Sequence, residues 1–89
     1  MKMNVFKGKE TQSRKEAADF LRQIAERIEA GRIVLGSGTQ EASLDIPETV
    51  KLEVEIDQKR KDSRGLRHKL ELELTWYEGD TSHQGVEIR

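Results

Sequence analysis

Six cations, Lys59, Arg60, Lys61, Arg64, Arg67 and Lys69, crowd one short stretch of this sequence with Asp62 as the only acid among them. Guanidinium and ammonium groups at that density grip phosphate or carboxylate oxygens through charge-assisted hydrogen bonds and displace counterions from a polyanion. The segment has no aromatic residue on which a base could stack, so the chemistry it suggests is anion, nucleic-acid-backbone or membrane-surface contact rather than base recognition. A charged, solvated hairpin tip kept for solubility is the simpler account of the same residues.

Immediately after it runs HKLELELTW, with His68 at one end of an alternating apolar set and Trp76, the only tryptophan, at the other. His68 shares the parity of Leu70, Leu72, Leu74 and Trp76 and reads as a rim residue of that face. Trp76, Tyr77 and His68 are the candidate contacts for a partner. On the opposite parity, Glu53, Glu55, Glu71 and Glu73 would gather if the two long strands pair in step. A calcium or magnesium site needs a shaped loop and several convergent ligands, and unburied carboxylates do not split into general acid and base, so a solvated acidic face is expected.

Gly36-Ser37-Gly38 lacks the Lys-Ser/Thr and following helix of a phosphate loop and reads as a turn. His83 has no evident companion ligand, and no local motif assembles a serine-histidine-acid triad. Absent cysteine removes disulfides, thiolate metal sites and a cysteine nucleophile. The reading is of a protein that is not an enzyme, with no catalytic, cofactor-binding or metal-binding residue assigned and no cofactor.

The elements that must position these residues follow from period. In QSRKEAADFLRQIAERIEAG, Ser13 and Glu16 have capping-box spacing. Ala17, Phe20, Leu21, Ile24 and Ile28 recur at helical steps, Lys15 with Asp19 and Arg22 with Glu26 form four-residue pairs, and Gly31 supplies a left-handed stop. Ile33 to Leu35 and Ala42 to Ile46 flank the glycine turn as a first hairpin, ended by Pro47. Val50 to Asp57 and Leu70 to Trp76 alternate strictly and form a second hairpin around the polar segment Gln58 to Gly65. Asn4 to Lys9 adds a weak first strand.

Helix and strands match in length, at ~25 Å for seventeen helical residues and ~26 Å for eight extended ones. The expected fold is α+β: a two-layer sandwich with one amphipathic helix packed on a mostly antiparallel four- to five-stranded sheet. Residues 1–78 form a single domain, and the polar tail 79–89 is frayed.

Two registers compete in the second hairpin. Pairing Ile56 with Leu70, Val54 with Leu72, Leu52 with Leu74 and Val50 with Trp76 keeps the apolar rows in step and sets His68 opposite Gln58. It also sets Glu53 beside Glu73 and Glu55 beside Glu71. A shift of four residues matches charges better, joining Lys51 to Glu71 and Glu53 to Lys69. Exposed charge pairs are worth only a few tenths of a kcal/mol, so the apolar rows and the shorter loop favour the first.

Eighty-nine residues support one small core. With 37% charged and 34% hydrophobic residues, folding depends on strict patterning. The net charge of -1 argues against wholesale nucleic-acid affinity. No apolar run has the length of a signal-peptide core or a membrane span, which points to a cytoplasmic protein.

One helix about 10 Å wide cannot cover four strands spanning roughly 19 Å. The leftover apolar surface would be closed by the chain's own loops and tail, by a second copy, or by a ligand or partner beside the helix. The leading function is a small interaction or scaffold module that binds itself, as a homodimer, or a partner protein through that surface near Trp76. The alternative is nucleic-acid or anion binding through the basic hairpin loop 58–69. No small-molecule ligand is assigned.

The order of a capped helix, GRIVLGSG, SLDIP, and the strands VKLEVEID and HKLELELTW with its tryptophan resembles the amphi-Trp domain family, over Glu10 to Glu78. The resemblance implies a prokaryotic, cytoplasmic module from a family without an assigned activity and with no catalytic residues to carry over. QKRKDSRGLR departs from the family pattern, being longer and more basic than the short acidic turn expected there.

Overall fold

The structure, a computed structural model, describes residues 1–79. It contains one helix and four strands in the order α1 (Arg14–Ala30), β1 (Arg32–Ser37), β2 (Gln40–Asp45), β3 (Lys51–Lys61) and β4 (Gly65–Thr75). The fold is α+β with antiparallel pairing throughout. The chain forms two compact units, Met1–Ile46 and the remainder from Pro47.

In the first unit, the Glu16 amide donates to Ser13 Oγ at 3.0 Å while the Ser13 amide donates to Glu16 Oε1 at 3.1 Å. This reciprocal pair satisfies two of the donors that a helix N-terminus leaves open. At the other end Gly31 adopts φ 89° and donates its N–H to the Arg27 and Ile28 carbonyls, both at 3.0 Å. A side chain there would pay the left-handed penalty that glycine escapes. The Gly31 carbonyl then accepts from the Ile46 amide at 2.8 Å, tying the end of the first hairpin to the helix stop.

The α1 helix packs on β1. Ala17, Ile24 and Ile28 are half-buried, as are Ile33 and Leu35 of β1 and Ala42 of β2. A two-residue connection, Gly38-Thr39, joins Ser37 to Gln40, and the ladder closes at Arg32 opposite Asp45, whose side chains pair at 2.6 Å. On the helix surface Asp19 accepts from Lys15 at 3.0 Å and from Arg22 at 2.6 Å. Arg22 thus turns back three residues to Asp19, not forward to Glu26.

The second unit is a long hairpin. Its register pairs Leu52 with Leu74, Val54 with Leu72, Ile56 with Leu70 and Gln58 with His68, and continues to Lys61 opposite Gly65. The apolar rows therefore decide the register over the charge-matched alternative. Gly65, at φ 78° with nothing within 4 Å of an added Cβ, provides the left-handed residue that closes a short hairpin loop.

Three expectations need correction. The four strands form two separate two-stranded ladders, β1-β2 and β3-β4, and not one sheet of four or five. Ser-Leu-Asp-Ile-Pro ends β2 at Asp45, and Pro47, lacking an N–H, cannot extend the ladder toward β3. Asn4 to Lys9 forms no strand: Gly8 and two lysines among few β-formers leave it without a packed face. The basic segment 58–69 is mostly strand, with only Asp62–Arg64 in the turn, because long charged side chains reach solvent from an extended backbone as readily as from a loop. Of the tail 79–89, everything from Asp80 lies outside the described residues.

No described residue reaches full burial, apolar or polar. No described helix is long and apolar enough to cross a membrane.

Candidate functional site

Strict alternation in β3 and β4, paired in step, separates the hairpin into two chemically opposite faces. One carries Leu52, Val54 and Ile56 opposite Leu74, Leu72 and Leu70, with Gln58-His68 and then Arg60-Leu66 toward the turn. Six of its aliphatic side chains are exposed, from 41% at Leu66 to 72% at Ile56; Leu74 is half-buried. Leu70 and Leu72 are therefore presented to the outside, where the sequence pattern alone places them in a core. Leu66, inside the segment 58–69 read as a basic hairpin loop, extends the same row.

The three candidate partner contacts do not converge. His68 stands beside Gln58, with the Gln58 side-chain nitrogen 3.2 Å from His68 Nδ1. Trp76, half-buried, follows β4 at the other end. Eight residues of extended chain, roughly 26 Å, separate them. Tyr77 is 80% exposed. The apolar rows between His68 and Trp76 form the continuous surface, and strand alternation in step across a two-stranded ladder is the signal that identifies it.

The opposite face is charged and polarised along its length. Glu53 faces Glu73 and Glu55 faces Glu71; then Asp57 faces Lys69, Lys59 faces Arg67 and Lys61 faces Gly65. Lys51 pairs with Glu53 at 3.1 Å, and Lys69 pairs with Glu71. The Asp57 carboxylate, then Glu71, push the Glu55 carboxyl above the usual carboxylate range. No group of three or more His, Cys, Asp or Glu among the described residues is placed to hold a metal ion.

The six basic candidates are thus divided by the ladder. Lys59, Lys61, Arg67 and Lys69 share the charged face, Arg60 lies on the apolar face beyond Gln58, and Arg64 is in the turn. Lys59 and Arg67, with Asp57, Gln58 and Lys69, line a shallow depression of about 430 Å³. Opposed cations can hold an anion, but Asp57 contributes a carboxylate to the same lining and Lys69 is already paired with Glu71.

A second cleft, of about 790 Å³, belongs to the first unit. Phe6, Phe20, Val34 and Leu35 supply its apolar wall, and Lys7, Lys9, Glu10, Gln12 and Ser37 its polar groups. Ser37 has no histidine beside it in that lining, so the cleft does not present a nucleophile with its base.

The family model of the Amphi-Trp domain matches residues 1–89, and the chain belongs to that family. No curated protein and no solved structure matches it.

Proposed function

We propose that this Amphi-Trp domain is a small interaction module that binds through the apolar face of the β3–β4 hairpin. The observation that carries the reading is the row of six aliphatic side chains, Leu52, Val54, Ile56, Leu66, Leu70 and Leu72, on one face of a two-stranded ladder and all exposed. A two-stranded hairpin is marginal by itself in water, and contiguous exposed apolar patches on soluble chains mark contact sites. The competing account is closure of this face within the chain.

Affinity capture from the native host compares wild-type bait with a Leu70→Ser/Leu72→Ser bait of matched circular dichroism. Partners held by the wild type and lost from the double variant support the reading; equal capture by both removes it.

A second reading, anion or nucleic-acid contact, is supported by Lys59 standing opposite Arg67 beside Lys61 and Lys69. Replacing Arg60, Lys61, Arg64 and Arg67 with serine abolishes that function and leaves apolar-face binding nearly intact. Binding that stays flat between low and moderate salt contradicts it. A prokaryotic, cytoplasmic setting is part of the proposal and follows from the family resemblance.

A further inference from the structure

We infer that the occupant of the apolar hairpin face is a second copy of this chain, packed face to face with strands antiparallel about a two-fold axis through the Val54–Leu72 rung. The inference rests on the proposed use of that face and specifies its partner.

The first support is self-complementarity. The aliphatic block has three rungs, Leu52–Leu74, Val54–Leu72 and Ile56–Leu70. A two-fold on the middle rung lays Leu52–Leu74 of one copy over Ile56–Leu70 of the other and returns Val54–Leu72 to itself. An isologous interface requires this property: the same patch must satisfy both sides. Trp76, four residues past Leu72, falls over the partner's Gln58–His68 rung, itself four residues from Val54 in the other strand.

The second support is charge, and it also selects the direction. With strands parallel, the two turns and all their lysines and arginines would lie side by side. Antiparallel packing separates them, placing the two basic turns at opposite ends of the paired block.

The third support is area. Full burial removes roughly 60–120 Å² of apolar surface per aliphatic side chain, so six side chains left about half exposed or more offer on the order of 300 Å² per copy. With the polar share that interfaces carry, two copies bury on the order of 1,000 Å², where specific association begins. In the first unit Phe20 and Leu21 of α1 and Val34 and Leu44 of the first hairpin are also exposed, but only the β3–β4 face lines up three directly paired aliphatic rungs.

The chain has no cysteine, so single-cysteine variants report the geometry directly. The full chain is first weighed by light scattering across a concentration series. Leu72→Cys and, separately, Val54→Cys are then oxidised and run without reductant. The expected result is a dimer mass, self-cross-linking of both axis variants, and Ile56→Cys that links to Leu52→Cys in a mixture but not to itself. Using both axis positions, each with its circular dichroism compared to wild type, guards against one variant failing to fold.

Self-linking of Ile56→Cys as readily as Leu72→Cys overturns the antiparallel arrangement. A monomer at every concentration overturns the dimer, and maleimide labelling then separates the two levels of the argument. A monomer whose Leu72→Cys thiol reacts like free cysteine keeps the open binding face and loses only the second copy. A monomer whose thiol is protected closes the face within the chain and removes both.

Discussion

Glu55 and Glu71 stand directly opposite each other in the β3–β4 ladder, one rung from Asp57 and its partner Lys69. Like charges in that position weaken a hairpin, and here Asp57 and Glu71 together hold the Glu55 carboxyl above its ordinary range. Glu55→Lys should therefore raise the unfolding temperature slightly at neutral pH by converting repulsion into attraction. Thermal denaturation at low salt checks it, and the gain shrinks as salt is added. An unchanged or lower midpoint would show that the opposed carboxylates cost nothing.

The two units should respond to acid in opposite senses. Glu16 is held below the ordinary carboxylate range by the hydrogen bond from the Ser13 backbone and then by the Ser13 side chain. Its contribution is present above the unfolded value and is lost as pH falls through the lowered folded value. For Glu55, raised in the fold, the sign reverses: the repulsion is absent below the unfolded value and develops as pH rises through the raised one. Amide hydrogen exchange across the carboxylate range should show α1 loosening at its N-terminus while the Glu55–Glu71 rung tightens. Parallel loosening of both would contradict the assignment.

Gly65→Ala should destabilise the hairpin by ~1–2 kcal/mol, the left-handed penalty for a residue with a Cβ. Nothing within 4 Å meets that Cβ, so the cost is conformational alone and Gly65→Asn should recover part of it. Urea denaturation of the three proteins orders them Gly, Asn, Ala. Equal midpoints would mean the turn rearranges freely.

Trp76 is half-buried, not enclosed. Trp76→Ala should accordingly cost well under the ~3–5 kcal/mol of a fully buried aromatic, and the wild-type indole should emit at a wavelength between buried and fully solvated tryptophan. A full-sized loss with strongly blue-shifted emission would place it in a closed core.

Much of this architecture is local and was readable from residue spacing. The Ser13–Glu16 box, the Gly31 stop and the Leu52–Leu74 to Gln58–His68 register all depend on neighbours within one helix turn or one hairpin. What spacing could not show is what lies across from each face. Alternation in HKLELELTW identifies a face that prefers to be dry, and whether Leu70 and Leu72 are dry depends on tertiary packing. The same gap explains the basic segment: composition made 58–65 look like loop, yet alternation continued through Lys59, Lys61 and Arg67 as strand. Asn4 to Lys9 shows the converse, a stretch with one or two strand-forming residues and no ladder to join.

The pairing of β3 with β4 alone leaves one backbone edge of each eleven-residue strand without a strand partner among the described residues. Long, apolar-faced edges of this kind template fibrils when nothing opposes stacking. The rungs Glu53–Glu73 and Glu55–Glu71 supply that opposition, since in-register copies would pile four carboxylates on four more. The repulsion that weakens the single hairpin is thus its protection against endless addition, and acid, by discharging those carboxylates, removes the barrier to fibres.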